Sequence, residues 1–111
     1  MDAVINLNHE PRLREAFEYA EIVNNTVLVD RRTKWGSPFR IGDGQDRAQA
    51  IARYREDLWR RIRAGEAALE ELAVLDGMWL ACWCHPEPCH GDVLARAAAW
   101  AVRVLAERQG A

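Results

Sequence analysis

Apolar and polar positions divide the chain into short apolar runs and longer amphipathic ones. Residues 3–7, AVINL, make a short buried strand that ends at Asn8 and His9. Pro11 suits a first helical turn, and PRLREAFEYAEIV (11–23) has helical composition, with Leu13, Ala16, Phe17 and Ala20 on one face. Asn24 and Asn25 are turn formers that stop this helix. TVLVD (26–30) is short, β-rich and followed by a polar loop, which predicts a second strand. RRTKWGSPFRIGDGQ (31–45), with its glycines and proline, reads as irregular.

Asp46 is an N-cap candidate for a helix over about 47–63. Ala48, Ile51, Ala52, Leu58, Trp59 and Ile62 recur at helical spacing as its apolar stripe. Arg55 falls within that stripe, where it either snorkels from a half-buried face or pairs with a carboxylate or bound anion. EAALEELAVL (66–75) predicts a helix after Gly65 that Gly77 ends. MWLACWC (78–84) is almost wholly apolar and predicts a central strand. GDVLARAAAWAVRVLAER (91–108) predicts a terminal helix with a broad apolar face.

Strands alternating with helices predict an α/β fold: a small layered domain with a short, mainly parallel three-stranded sheet flanked by helices. With 111 residues there is room for one core, so residues 1–111 are read as a single domain. Ligands of such sheets bind beyond the carboxyl ends of the strands. If the three strands are parallel, the loops after Asn6, Asp30 and the last strand emerge on one edge.

Composition adds little about fold and more about surroundings. Half the residues are hydrophobic and 29% are charged, an ordinary soluble balance. No run approaches the roughly 18 apolar residues of a spanning helix, and the first residues lack a signal pattern. Three cysteines, all within 82–89, are a poor disulfide framework; the expected location is the cytoplasm, with no membrane partner. Net charge is −4 over residues 1–30, +6 over 31–63 and −4 over 64–111. The basic middle suits an anionic ligand, a nucleotide or nucleic acid; arginine-rich helix faces are also commonly just solvated.

The stretch CWCHPEPCHGD (82–92) concentrates the candidate chemistry. Cys82, Cys84, Cys89 and His90 are a chemically suitable zinc set, although no Cys-x-x-Cys knuckle is present and strand geometry separates Cys82 and Cys84 by about 6–7 Å. As a thiol site, Cys89 lies just before a helix, where the dipole lowers a thiol pKa. His90 beside it suits an acid–base role, and the same amides could instead hold phosphate. Asp92 opposes the effect on the thiolate. Cys82 alone reads as core. His85 reads as a loop residue without a role, and Trp79 and Trp83 as core residues on the face opposite the cysteines.

The second constellation is DRRTKWGSPF (30–39). Arg31, Arg32 and Lys34 could hold phosphate while an exposed Trp35 stacks a base. Gly36 permits close backbone approach or an unusual φ.

These residues carry a family resemblance. KWGSPF (34–39) is similar to a KWG-N-PF signature, and ACWCHPEPCHGDVL (81–94) closely resembles a C-W-C-x-P-x-x-C-H-G-D-x-L signature. Both signatures belong to the bacterial and phage family known as Domain of Unknown Function 4326. ARYREDLWRRI (52–62) also looks like that family's central helix, and the resemblance covers about residues 26–96. Ser37 stands where the signature has asparagine. The resemblance implies a shared α/β domain with a site near both motifs, at Lys34, Trp35, Gly36, Pro38, Cys84, Cys89, His90 and Gly91. It supplies no reaction, and occurrence in phages associates the family with nucleotide or nucleic-acid metabolism.

Two readings stay open. In the first, the chain binds and processes a nucleotide-like or phosphorylated ligand by hydrolysis or group transfer. Arg31, Arg32, Lys34, Trp35, Gly36, Ser37, Arg55 and Gly91 form the ligand site, and Cys89, His90 and Cys84 supply the chemistry. In the second, Cys82, Cys84, Cys89 and His90 bind zinc in a non-catalytic module that contacts nucleic acid or a protein. Five tryptophans and an apolar terminal helix also leave room for an interface with another subunit, including a second copy.

Overall fold

A computed structural model describes residues 3–39, 41–42, 44–84 and 87–110. Among these residues the chain forms β1 (Val4–Asn6), a 3-10 turn (Leu7–His9), α1 (Pro11–Ala16), β2 (Ile22–Val23) and β3 (Thr26–Leu28). It continues through α2 (Arg47–Arg63), α3 (Leu69–Leu75), β4 (Trp79–Cys82) and α4 (His90–Gly110).

The sheet is mixed, with four strands in the order β1-β4-β3-β2. β4 lies between β1 and β3 and is parallel to both, pairing Val4 with Leu80 and Leu28 with Ala81. Its central place agrees with its apolar sequence. The fourth strand departs from the three-stranded expectation, because the helix expected over 11–23 ends at Ala16. Asn24 and Asn25 have φ of 48° and 59°, the double left-handed conformation of a tight hairpin. That turn folds Ile22–Val23 back antiparallel onto β3, so local turn chemistry outweighs the helical composition before it.

Alternation along the strands sends side chains to two cores. Val4, Val27, Val29, Leu80 and Cys82 face α2, α3 and α4 in the larger one. Leu28 and Ala81 face the opposite way, against Leu7, Phe17 and Leu13. Among the described residues this second face is covered by the 3-10 turn, the six-residue α1 and Phe17 just after it. Trp79 and Trp83 lie on either side of Ala81 on that face and are 43% and 41% exposed. They are not the core residues expected, because α1 is too short to cover them.

α2 begins where expected. The Asp46 carboxylate accepts from Gln49 N–H, and Gln49 reciprocates to Asp46 N–H, a capping box. Its inward face is rotated from the expected stripe: Ala50, Tyr54 and Leu58 are buried, and Arg55 is exposed. Tyr54 accounts for the rotation, since its ring fills the core while its hydroxyl donates to the Trp35 carbonyl at 2.7 Å. α3 starts at Leu69, later than expected, where Glu71 accepts from Ala68 N–H at 3.1 Å. Small residues at Ala97, Ala98 and Ala101 let α4 lie close on the core, and Trp59 of α2 meets Trp100 of α4 edge to face at 4.8 Å. Among the described residues no helix is long and apolar enough to cross a membrane.

Candidate functional site

At the carboxyl ends of β3 and β4 the structure opens a cleft of about 490 Å³. The loop after β3 contributes Asp30, Arg31, Arg32, Ser37, Phe39 and Ile41, and the start of α2 contributes Arg47, Ala50 and Ile51. The far wall is the loop from β4 into α4, with Cys82, Trp83, Cys84, Pro88, Cys89 and His90. The basic loop and the cysteine loop therefore meet, as parallel strands require. The loop after β1 does not line this cleft. It turns away at Asn6, whose side chain accepts from Asn8 N–H at 2.8 Å.

The loop after β3 doubles back tightly. Thr33 N–H donates to the Asp30 carbonyl and Gly36 N–H to the Thr33 carbonyl, both at 3.1 Å. A Cβ on Gly36 would stand 2.5 Å from Arg31 Cα and closer still to the Asp30 carbonyl oxygen. Gly36 is thus a residue of close backbone approach. This turn sends alternate side chains in different directions. Trp35 is buried at 6% exposure and is not the exposed stacking residue expected. Lys34 reaches over the Trp35 ring at 5.3 Å to pair with Glu71 at 2.6 Å. Arg61 donates to the Lys34 carbonyl at 2.9 Å. Lys34, Trp35 and Gly36 therefore anchor the loop to α2 and α3, and none of the three lines the cleft. Arg55 does not line it either.

Arg31, Arg32 and Ser37 do reach the cleft. Arg31 Nε donates to the Ser37 carbonyl at 3.1 Å, and among the described residues it has no ion pair with a carboxylate. Arg32 is committed to Asp30, with Nη2 and Oδ2 2.7 Å apart. The same carboxylate oxygen accepts from the Trp83 indole N–H at 3.2 Å. Burial works to raise the Asp30 pKa, but the hydrogen bonds from Arg32 and Trp83 outweigh it and hold the carboxyl below its ordinary value. Asp30, Trp83 and Arg47 belong to the site and were not singled out from sequence. Asp30 carried a weak signal as the residue closing a β-rich run. Arg47 Nη1 donates to the Pro88 carbonyl at 3.0 Å and so ties α2 to the cysteine loop.

The motif CHGD (89–92) has a structural explanation. Asp92 Oδ2 accepts from Cys89 N–H at 3.0 Å, and Cys89 Sγ accepts from Gly91 N–H at 3.3 Å. This reciprocal pattern resembles a capping box, with a thiol that takes the N2 amide in place of a hydroxyl that takes the N3 amide. Gly91 is buried, and a Cβ there would meet Val4 Cγ2 at 3.2 Å. Cys89 Sγ also touches Cys82 Sγ at 3.3 Å. The neighbouring Cys82 thiol, burial and the Asp92 charge raise the Cys89 pKa, and the Gly91 amide offsets only part of this. The helix start was expected to lower that pKa; a second thiol and desolvation overrule it.

His90 Nε2 bonds to the Val29 carbonyl. A carbonyl only accepts, so Nε2 carries the proton and Nδ1 is the basic nitrogen. Burial lowers the His90 pKa despite that carbonyl and the charges of Asp30 and Asp92, which favours the neutral ring. Tyr54 meets the ring edge-on at 4.9 Å. Among the described residues no three His, Cys, Asp or Glu side chains are arranged to hold a metal ion. Cys84 is half-buried on the cleft wall. His85 lies outside the described residues.

Residues 13–100 match the family model described as Domain of unknown function (DUF4326). The chain belongs to that family. The match takes in both the KWG loop and the CHGD cap. The chain is also 43% identical over 70 residues to an "Uncharacterized 12.4 kDa protein in nrdA-td intergenic region" of Enterobacteria phage T4. That alignment covers 62% of this chain and 63% of the phage protein. No solved structure matches.

Proposed function

We propose that the protein binds a nucleotide-like, phosphorylated ligand in the cleft and acts on it by hydrolysis or group transfer. The observation that carries this reading is the pairing of Arg31 and Arg47 with walls that are otherwise aromatic and aliphatic, among them Trp83, Phe39 and Ile51. Guanidinium groups suit phosphate, and a half-exposed indole anchored by its N–H suits a base. The position beyond the carboxyl ends of two parallel strands is also where α/β sheets take ligands.

Within this reading Arg31 and Arg47 hold the anion, Trp83 replaces Trp35 as the stacking residue, and Arg32 orients Asp30 and Trp83. His90 supplies acid–base chemistry through Nδ1. Cys84 is the wall thiol open to the ligand, while Cys89 is held protonated as a helix cap. Its thiols, none in a disulfide bond, suit a cytoplasmic protein.

The test is a thermal-shift and calorimetric panel of nucleoside mono-, di- and triphosphates and sugar phosphates. At least one should stabilise the protein. Arg31→Ala and Arg47→Ala should each weaken that ligand by roughly tenfold or more, since a hydrogen bond to a charged group contributes about 1.5–3 kcal/mol. A panel without any shift, or two variants that bind like the parent, would refute the proposal.

A further inference from the structure

We infer that Cys82 and Cys89 form a reversible dithiol–disulfide couple in the floor of the cleft, oxidised by a peroxide or a low-molecular-weight disulfide. Two separate elements bring the sulfurs together. Cys82 ends β4 and faces the larger core, and Cys89 caps α4. Their sulfurs are 3.3 Å apart, against about 2.05 Å in a disulfide bond. Closing that gap asks for side-chain rotation and movement of the first turn of α4. Cys84 lies against the same core, yet among the described residues it has no hydrogen-bond contact with either sulfur.

Access runs through the cleft. Cys82 and Cys89 are 1% and 3% exposed, but both line it, so a small oxidant reaches them there and a protein disulfide does not. With hydrogen peroxide, one sulfur attacks an oxygen, the O–O bond breaks, and a sulfenic acid and one water form. The second sulfur then attacks the sulfenic sulfur and expels its hydroxyl, which leaves as water with the second thiol proton. Two thiols lose two electrons and one peroxide gains them. With glutathione disulfide the other products are two molecules of the reduced thiol.

Because Cys89 is held protonated, reaction is slow at neutral pH, and proximity selects the partner once one sulfur is oxidised. The new bond would close a ring containing Trp83, Cys84 and Pro88, all residues of the cleft wall. It would also draw the sulfur that caps α4 toward β4. Oxidation would thereby reset the shape of the cleft.

The reduced full chain is incubated without denaturant in excess hydrogen peroxide, alkylated, cleaved with chymotrypsin after Trp83 and mapped by mass spectrometry. The expected result is the loss of two hydrogens and a Cys82–Cys89 cross-link that dithiothreitol reverses and that persists in Cys84→Ser. Four results would overturn the inference: no oxidation, a bond through Cys84, sulfinic or sulfonic acids without a cross-link, or a Cys82–Cys89 pairing no more favoured over the other two pairings than in urea-unfolded chain. All four are read on the parent protein, so the test does not depend on a variant folding.

Discussion

Tyr54→Phe tests whether the KWG loop is a structural anchor. The substitution keeps the ring, and with it the edge contact to His90 and the packing on Leu58. It removes a hydroxyl that donates to the Trp35 carbonyl at 2.7 Å. Tyr54 is 0% exposed, so water cannot take the hydroxyl's place. A neutral hydrogen bond contributes about 1 kcal/mol net, and a stranded buried carbonyl costs about 1–3 kcal/mol. These two overlap, because the bond's net value already counts part of the desolvation. Arg61 offers some relief, since its guanidinium lies 5.8 Å from the Tyr54 ring and already serves the adjacent Lys34 carbonyl. We therefore expect a loss of about 1–2 kcal/mol, or a fall in Tm of roughly 4 °C per kcal/mol. Urea unfolding followed by tryptophan fluorescence should show a lower midpoint with an unchanged slope. Tyr19→Phe, at a side chain 86% exposed, should stay within about 0.5 kcal/mol of the parent. Equal midpoints for Tyr54→Phe and the parent would refute the anchor.

Gly36→Ala should cost about 1–3 kcal/mol, since the added methyl meets backbone and not a movable side chain; a urea midpoint like the parent's would contradict that geometry. His90 predicts the pH dependence. Its pKa is pushed below the ordinary 6.5 by burial, so below that value the unfolded chain binds a proton that the folded chain refuses. Stability should fall as pH drops from about 7 toward 5 and should recover on return. His90→Gln should flatten this slope. The lowered Asp30 pKa acts in a separate, more acidic window: its contribution is present above the ordinary carboxylate value of 3.8 and is lost as pH falls through the lowered one. A parent midpoint that is flat or rising between pH 7 and 5 would rule out the buried neutral histidine.

The legible parts of the fold were those set by local pattern. The β4 run was apolar on both faces, and Asp46 began α2 with a side chain of the right type. The meeting of the basic and cysteine loops followed from strand direction alone. What escaped were properties of contacts between distant segments. The hairpin at Asn24 and Asn25 depends on β3 being available to receive β2. The direction of Lys34 and Trp35 depends on a backbone reversal at Gly36 that composition does not specify. Trp83 read as core because its strand looked evenly covered, and only the shortness of α1 exposes it. Cys89 looked activated because a helix start is visible in sequence, whereas the Cys82 sulfur seven residues away is brought near only by folding.

The central place of β4 also governs the order in which the molecule can assemble. β1 and β3 do not pair with each other, and each reaches the other only through a strand that starts at Trp79. A nascent chain that stops before that residue can close the β2–β3 hairpin and can wind α2, but it contains no parallel pairing at all. Joining residue 4 to residue 80 is a long loop closure, whose entropy must be met before the contact repays it. Synthesis as far as residue 78 therefore allows the hairpin and the contacts of the KWG loop with α2 and α3, while every parallel pairing of the described sheet waits for β4 to insert between its neighbours.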